Sequence, residues 1–392
     1  MAEWLEKTLG EVTAFIAKGI PPKYTEEENE NTIRVLNQKC NRNFEISYSE
    51  SRIHDCAKKK IPADKMLRIG DVLINSTGTG TAGRVAQMIE VTVPTTIDGH
   101  MILIRPSEEL DPIYYGYAVK SFQSQIEGLA EGSTGQTEIN RRRLQDEIII
   151  RYPSDKLVQK NIGSFLANID EKIKTNTEIN KNLLQQAQSL YKNRFVDMQP
   201  FNGEFPADWH LGTVSEIIEL HDSKRIPLSS RERAELDKIY PYYGATSVMD
   251  YVDRYLFDGI YLLLGEDGTV VDSKGFPFLQ YVEGKFWVNN HAHIITGKNG
   301  FTVETLYLLF SLTNVQSIVT GAVQPKISQA NLSKVPVIIP SMAELEAFDS
   351  VIQPIFAQIR NLRAENDRLA VTRNTLLPRL ISGELDVSNF NF

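Results

Sequence analysis

Three glycines early in the chain have the spacing of a nucleotide-binding turn. Gly78, Gly80 and Gly83 spell GxGxxG in the stretch DVLINSTGTGTAGRVAQMIEV, which begins at Asp71. In a dinucleotide-binding domain, such glycines let the backbone approach a pyrophosphate, and a helix that begins directly after them holds its charge. The residues that follow, RVAQMIEVTVP, are rich in β-branched side chains and end at Pro94. They predict a second strand instead of a helix, so we interpret the glycines as a tight turn between two strands.

Two further patterns in the second half could carry chemistry. His291 and His293 alternate in VNNHAHII, so a strand would place both on one face, but the sequence nominates no third ligand for a metal. Asp258, Glu266 and Asp267 lie in a glycine-rich segment, where carboxylates close turns more often than they act as acids or bases. The sequence contains no Walker, HExxH, CxxC or GxSxG motif. The residues alone therefore indicate no catalytic motif, and a hydrogen-bonded or DNA-facing role for the two histidines is favoured over a metal site.

The chain repeats itself. The segment GSTGQTEINRRRLQDEIII in the first half resembles GAVQPKISQANLSKVPVII in the second half, with an offset of 188 residues. The same offset places Gly80 on Gly268, and each follows an apolar run that predicts a strand. His100 falls on His293 after a small change in length. The order of these matches predicts a duplicated unit.

A long helix is predicted at the end of each half. From residue 156 to about residue 196, apolar residues recur at alternating spacings of four and three, and the pattern returns after Ser341. A helix of roughly 40 residues is about 60 Å long and cannot bury its stripe alone, so we predict that the two helices pack as an antiparallel coiled coil. Asn180 and Asn366 occupy equivalent positions in the stripe, where they would fix the register; the alternative is that they face solvent. Pro354 predicts a kink or a delayed start of the second helix.

These features predict an α+β fold, in which two duplicated mixed α/β domains are joined by the two helices with pseudo-two-fold symmetry. The formal charge of −8 over 392 residues excludes a uniformly basic nucleic-acid binder but leaves local basic loops open. No long apolar run or secretory leader is visible, and the two cysteines make no metal-ligand pattern, which favours a cytoplasmic location. The predicted boundaries are 1–153 for the first domain, 154–198 for the first helix, 199–340 for the second domain, and 341–392 for the second helix and tail.

The chain resembles a known family, the specificity (S) subunits of type I DNA restriction-modification enzymes. The motifs that carry the resemblance are GDVLINSTGTGTAGRV, YPYYGAT with FDGIYLLLGEDG, GAVQPKIS and TLLPRLISGELDV. They extend over nearly the whole chain. The resemblance implies that the two domains are target recognition domains, each of which reads one half of a split double-stranded DNA sequence. It also implies that the helices set the spacer between the half-sites and dock two methyltransferase subunits.

The resemblance implies a chain without catalytic activity of its own. The complex that it forms with methyltransferase and restriction subunits would be a site-specific endonuclease and an adenine-specific DNA methyltransferase. S-adenosylmethionine, ATP and Mg²⁺ would then belong to the partner subunits, and this chain would bind no cofactor. The alternative is a coiled-coil scaffold whose α/β domains bind protein or another ligand.

DNA contacts require side chains that complement phosphates and base edges, such as Arg, Lys, Asn, Gln and hydroxyl groups. The alternative for each candidate is an ordinary solvated loop residue, and for Tyr242 it is a core aromatic. The candidates in the first domain are Lys58, Lys59, Lys60, Asn75, Thr77, Thr79, Arg84, Gln136, Arg141, Arg142 and Arg143. Those in the second domain are Lys224, Arg225, Tyr242, Lys285, Asn289, Asn290, Gln324 and Lys326.

Overall fold

The computed structural model describes residues 3–132, 137–321 and 323–385. The chain divides into two compact units. Unit 1 comprises residues 1–175 and 366–392, and unit 2 comprises residues 176–365. Each unit therefore contains one α/β domain together with part of each long helix. None of the helices in the described part of the chain is both long and apolar enough to cross a membrane.

Unit 1 is built from short strands, as expected for a segment rich in β-branched residues and interrupted by Gly, Pro and Asn. The strands are β1 (Trp4–Thr8), β2 (Thr13–Lys18), β3 (Tyr24–Thr25), β4 (Thr32–Leu36), β5 (Asn41–Arg42), β6 (Glu45–Ile46), β7 (Arg52–Asp55), β8 (Val72–Asn75), β9 (Val85–Gln87), β10 (Thr95–Ile97), β11 (Met101–Pro106), β12 (Ala130–Glu131), β13 (Glu138–Ile139) and β14 (Ile149–Pro153). The helices are α1 (Pro112–Ser121), α2 (Gln123–Glu127) and α3 (Arg141–Glu147), followed by α4 (Lys156–Tyr191), which continues into unit 2.

Unit 2 has the same mixture of short strands and helices. Its strands are β15 (His210–Thr213), β16 (Ile218–Leu220), β17 (Tyr240–Tyr243), β18 (Val248–Val252), β19 (Phe257–Asp258), β20 (Tyr261–Gly265), β21 (Leu279–Val282), β22 (Lys285–Val288), β23 (Ala292–Gly297) and β24 (Pro336–Ile339). Its helices are α5 (Val214–Ile217), α6 (Ser230–Ala234), α7 (Val303–Ser311) and α8 (Gln329–Leu332), followed by α9 (Met342–Ile381), which continues into unit 1.

A four-stranded antiparallel sheet is repeated in the two units. Its strand order is β2-β11-β8-β9 in unit 1 and β16-β23-β20-β21 in unit 2. Asn75 lies opposite Met101 in the first sheet, and Leu263 lies opposite Ile294 in the second. Asn75 and Leu263 are 188 residues apart, which is the offset of the sequence repeat. The shared register confirms the predicted duplication of a mixed α/β domain.

Each unit also has a second four-stranded sheet, which is mixed. The strand order is β10-β4-β7-β3 in unit 1 and β18-β17-β22-β19 in unit 2. The strand β10 runs parallel to β4, and β17 runs parallel to β22, while the other pairs of these sheets are antiparallel. These sheets bring together residues from distant parts of the domain, including those that line a cleft described below.

The two long helices pack against each other within unit 1. Asn366 Nδ2 of α9 donates to the Ile173 carbonyl of α4 at 3.2 Å, and Arg373 of α9 forms an ion pair with Asp170 of α4. Residue numbers rise along one helix as they fall along the other, so the helices are antiparallel here. Leu377 of α9 belongs to the core of unit 1, together with side chains of α1 and α4. The antiparallel packing predicted from the apolar stripe is therefore confirmed within this unit.

The stripe of unit 2 departs from a strict heptad. Asn176 is 0% exposed, and its Nδ2 donates to Glu365 Oε2 at 2.9 Å, whereas Asn180 is half-buried. Leu190 is 41% exposed, although it continues the heptad, while Tyr191 is buried. An α-helix has 3.6 residues per turn, so a seam that repeats every 3.5 residues drifts around a helix that does not supercoil enough to follow it. The register role of Asn180 and Asn366 stays a prediction.

The helix α9 is continuous across its internal proline. It begins at Met342 and runs for 40 residues through Pro354 to Ile381. The prediction of a delayed start at Pro354 is wrong, because apolar side chains of the first turns are buried in the core of unit 2 and stabilise the helix from Met342 onward. Leu345, Phe348 and other residues N-terminal to the proline are buried there.

Candidate nucleic-acid interface

The turn that carries GxGxxG joins two antiparallel strands, β8 and β9. Gly78, Gly80 and Gly83 have φ angles of 113°, 70° and 88°, which favour glycine. A Cβ atom at Gly83 would lie 2.6 Å from the backbone of Glu127, so a larger residue does not fit there without a shift. Where a dinucleotide site requires a helix, the chain forms the strand β9. The interpretation of the motif as a turn between strands is confirmed.

In each unit, this turn or its counterpart lies against a second loop that also contains residues predicted to contact DNA. Thr77 forms an isolated β-bridge with Glu138 in unit 1, and Asp267 forms one with Lys326 in unit 2. The second loop leads in both units into a short helix, α3 or α8. The structure thus brings together, twice, two loops that are about 60 residues apart in the sequence. We call these segments the paired loops: 76–84 with 137–143, and 265–269 with 323–328.

The glycine turn of unit 1 carries threonine hydroxyl groups and one arginine. Thr77 Oγ1 lies 2.9 Å from His100 Nδ1, and Thr79 is exposed. The guanidinium of Arg84 donates to the Gly80 carbonyl at 3.1 Å, which returns this side chain to its own turn. Thr77 and Thr79 therefore lie at the surface of the turn, while Arg84 is half-buried and stabilises it.

Three of the predicted contacts are buried. Asn75, Tyr242 and Asn289 are 0%, 1% and 4% exposed. Asn75 Nδ2 donates to the Gln38 carbonyl at 3.1 Å, and the Tyr242 hydroxyl accepts from the Leu228 amide at 3.0 Å. Asn289 Oδ1 accepts from the backbone amide of His291 at 2.8 Å. In this conformation these side chains hold loops in place, and a base contact by them stays a prediction.

The three arginines at the start of α3 differ in how they are paired. Arg143 forms ion pairs of 2.5 Å with both Glu131 and Glu147. Hydrogen bonds to Glu147 and then to Glu131 raise the pKa of the Arg143 guanidinium. Arg142 is 91% exposed, with its nearest carboxylate at 3.6 Å, and Arg141 is exposed beside it. Arg141 and Arg142 are thus the better placed of the three to reach an anionic partner.

The three lysine candidates of unit 1 lie in the segment that follows β7. Lys58 Nζ is 3.2 Å from Asp55, and Lys59 Nζ donates to the Pro21 carbonyl at 3.2 Å. Lys60 is exposed. Gln136, which the repeat matches to an exposed glutamine of unit 2, lies outside the described residues.

Unit 2 contains a cluster of charged residues behind its paired loops. Single atoms of Asp222, Glu266 and His293 lie within 4.8 Å of one another. His293 Nδ1 is 2.6 Å from Asp222 Oδ2, and its Nε2 is 2.8 Å from the Ile327 carbonyl, so both ring nitrogens are engaged. Arg225 Nη1 donates to Glu266 at 2.5 Å and supplies a positive charge that a metal ion would otherwise supply. These side chains form a closed polar network and do not fit a divalent metal.

The sequence analysis did not predict this network. It singled out Glu266 and His293 separately and did not connect them. Burial opposes ionisation of Asp222, but the hydrogen bond from His293 is among the causes that lower its carboxyl pKa overall. Glu266 Oε1 also forms an ion pair with Lys326 Nζ at 3.1 Å. Arg225 is only 13% exposed and is committed to this network, whereas Lys326 is 47% exposed and can still reach outward.

The other candidates of unit 2 are surface residues. The ammonium of Lys285 lies 4.7 Å from the centre of the Tyr255 ring. Tyr255 and then Tyr240 are among the groups that raise the Lys285 pKa. Three further candidates are exposed: Lys224, Asn290 and Gln324.

Replacing Arg141 and Arg142 together with alanine should weaken DNA binding and flatten its salt dependence. Each lost phosphate contact reduces the slope of log K against log [salt] by about 1. Titration of a labelled duplex at several salt concentrations measures the slope. The control is the double variant Lys192→Ala/Arg379→Ala, which removes two exposed cations that are paired with Asp197 and Glu384. An unchanged slope in the Arg141/Arg142 variant would exclude phosphate contact by these two residues.

Comparison with known proteins finds one family model that matches most of the chain. The model is described as the type I restriction modification DNA specificity domain, and it matches residues 1–185 and 206–370. The two matches correspond to the two halves of the sequence repeat. Together they extend over more than half of the chain.

Curated relatives match with lower coverage. A putative type I restriction enzyme specificity subunit from Haemophilus influenzae is 32% identical over 130 residues, which is 33% of either chain. The specificity subunit of the type I restriction enzyme MjaIX from Methanocaldococcus jannaschii is 25% identical over 301 residues, which is 70% of this chain and 69% of that protein. The chain thus aligns with about a third of the first relative and about two thirds of the second.

A solved structure shares the fold over nearly the full length. The crystal structure of a type I restriction-modification S subunit from M. genitalium superposes with a TM-score of 0.57. The superposition covers 99% of this chain and 97% of that chain at 18% sequence identity. At this identity the likeness establishes the architecture, in which two α/β domains alternate with two long helices.

Proposed function

The chain belongs to the family of type I restriction modification DNA specificity domains, and we propose that each of its two units reads one half of a split double-stranded DNA target. The observation that carries the proposal is the repetition of the paired loops on the same sheet in both units. A single recognition surface would not require the duplication. The scaffold alternative is not favoured, because the matching family is defined by DNA specificity.

The chemistry of the paired loops supports base and phosphate contact. Exposed arginine, lysine, threonine, asparagine and glutamine side chains provide donors to phosphates, and several of them match base edges in the major groove. The chain has a net charge of −8, so binding relies on local clusters of such groups and not on a uniform field.

We further propose that the chain directs catalytic partners and does no chemistry itself. Two methyltransferase subunits and the restriction subunits would dock on it, and they would bind S-adenosylmethionine, ATP and Mg²⁺. The chain's own contribution is to select the site and to set the distance between its halves. Neighbouring genes for an adenine methyltransferase and for a helicase-nuclease would support this assignment.

Long-read methylation mapping tests the proposal directly. The source genome should carry methylated adenine in a bipartite motif, and deletion of this gene should abolish methylation at that motif alone. A genome whose methylation is unaffected by the deletion would contradict the proposed function.

Exchanging residues 1–150 for the matching domain of a relative should change one half of the motif and leave the other half and the spacer as they were. The reason is that the paired loops of unit 2 lie entirely within the part of the chain that is retained. The same mapping experiment measures the result. The cloning control replaces residues 1–150 of this chain with an identical copy by the same procedure. A change in both halves would show that the units do not read independently.

A further inference from the structure

Unit 1 contains an open polar cleft next to its paired loops. Its lining comes from β3, β7, the segment after β4 and the turn between β10 and β11. One wall is continuous with the glycine turn, because His100 at the edge of the cleft lies 2.9 Å from Thr77 Oγ1. The side chains used in the argument are Tyr24, Gln38, Arg52, Asp98 and His100.

Arg52 is held in the cleft by an aromatic ring. Its guanidinium carbon lies 3.4 Å from the centre of the Tyr24 ring. The pairing of β3 with β7 explains the contact: Tyr24 lies opposite His54, so Arg52, two residues earlier on the same face, is its diagonal neighbour. Stacking on a ring orients a guanidinium while leaving its N–H groups free at the edge.

Arg52 has no carboxylate partner at ion-pair distance within residues 3–132, 137–321 and 323–385. Arg34 on the neighbouring strand β4 provides the contrast, because its Nη2 lies 3.0 Å from both oxygens of Glu28. The two arginines lie in the same sheet, but only Arg34 forms an ion pair, whereas Arg52 acts on Asp98 through its charge and lowers the pKa of that carboxyl without contact at ion-pair distance. A stacked and unpaired guanidinium at an exposed edge is suited to an external acceptor pair.

The floor of the cleft fixes the geometry around Arg52. Asp98 is 5% exposed, and its Oδ1 accepts from the His100 amide at 2.9 Å. Burial raises the pKa of the Asp98 carboxyl, although the His100 amide, the Tyr24 hydroxyl and the charges of His100 and Arg52 favour its charged form. Gln38 connects the cleft to the start of the glycine turn, since its backbone carbonyl accepts from the Asn75 side chain at 3.1 Å. The cleft and the paired loops therefore form one continuous surface.

We propose that Arg52 reads a guanine in the half-site recognised by unit 1. The inference rests on the proposed function of this unit. A guanidinium fork matches the O6 and N7 acceptors of guanine in the major groove, and this pair is the commonest specific contact between proteins and DNA. The adjacent Thr77 and His100 would meet neighbouring groups of the same duplex.

The test uses the complete restriction-modification complex and starts from the motif mapped for the wild-type protein. Arg52→Ala should lower the affinity for the motif about tenfold or more and relax the requirement for guanine at one position of one half-site. Arg52→Gln should shift the preference at that position from guanine to adenine, because glutamine matches the N6 and N7 edge of adenine. Replacing that guanine by 7-deazaguanine, which lacks N7, should weaken wild-type binding but leave Arg52→Ala unaffected.

Arg34→Ala is the matched control and should leave the motif unchanged. The second half-site reports whether each variant still folds and assembles, because it is read by unit 2. An unaltered motif and affinity in Arg52→Ala would overturn the inference, as would a loss that is uniform over all sequences with a flatter salt slope. A wild-type complex that methylates no bipartite motif would instead overturn the proposed function.

Discussion

Inserting seven residues into both long helices at the same level is expected to lengthen the DNA spacer by about three base pairs. Seven helical residues add about 10 Å, and base pairs in a duplex are about 3.4 Å apart along its axis. The half-site sequences themselves should persist, because the insertion leaves the paired loops untouched. Methylation mapping of the variant measures both properties at once.

The level for the insertion follows from the division of the chain. The boundary between the units lies between residues 175 and 176 of α4 and between residues 365 and 366 of α9. A whole heptad at these points keeps the apolar stripe in phase on both helices. A two-residue insertion at the same points turns the stripe by about 200°, to the opposite face of the helix, and is expected to abolish methylation. A spacer that keeps its length in a seven-residue variant that still methylates would refute the idea that the helices act as a ruler.

The architecture could be predicted because it depends on patterns that are local or repeated. The alternation of apolar residues at spacings of four and three is a property of a single helix, and it predicted both α4 and α9. The pairing of Gly80 with Gly268 required only that the chain be compared with itself. The β-branched residues after Gly83 sufficed to predict β9 and to argue against a nucleotide site.

The chemistry of individual side chains depends on residues that are distant in the sequence, and it could not be predicted in the same way. The basic residue beside Arg225 in the sequence predicts a DNA contact, but in the fold Arg225 is paired with Glu266, which lies 41 residues away in the sequence. Arg52 was not nominated, because no basic neighbour marks it and its contact with Tyr24 depends on the pairing of β3 with β7. A sequence gives the charge of a side chain, whereas the fold decides whether that charge is already neutralised.

Replacing Glu304 with alanine is expected to destabilise unit 2 by about 3 kcal/mol. Glu304 is 4% exposed, and its Oε1 accepts from the Tyr281 hydroxyl at 2.6 Å and from Arg360 Nη1 at 3.0 Å. Its other oxygen accepts from Gln353 Nε2 at 3.1 Å. Removing one partner of a buried ion pair typically costs about 3–5 kcal/mol, because the other charge stays buried. Arg360 retains Glu283 at 3.4 Å, which places the expected loss at the lower end.

Hydrogen exchange separates this effect from a general loss of stability. Amides of β20 and β21 should exchange faster in Glu304→Ala, while those of β8 and β11 in unit 1 should be unchanged. Asp197→Ala is the matched control in the same unit: it breaks an exposed ion pair with Lys192, and such pairs contribute about 0–1 kcal/mol. An equal effect of the two variants would show that the Glu304 network is no stronger than a surface pair.

The Glu304 network also connects stability to recognition, because it joins the α/β domain of unit 2 to α9. Tyr281 belongs to β21 and Glu304 to α7, whereas Gln353 and Arg360 belong to α9. In unit 1, a different network joins the domain to the long helices: Asp170 of α4 accepts from Tyr117 of α1 at 2.5 Å and pairs with Arg373 of α9. A helix can set the distance between half-sites only if each domain is fixed to it. We therefore expect Glu304→Ala, at a temperature where it remains folded, to bind targets with spacers one base pair longer or shorter more readily than the wild-type protein does. A binding series over duplexes that differ only in spacer length measures this tolerance, and an unchanged preference would show that the joint is maintained by the apolar core alone.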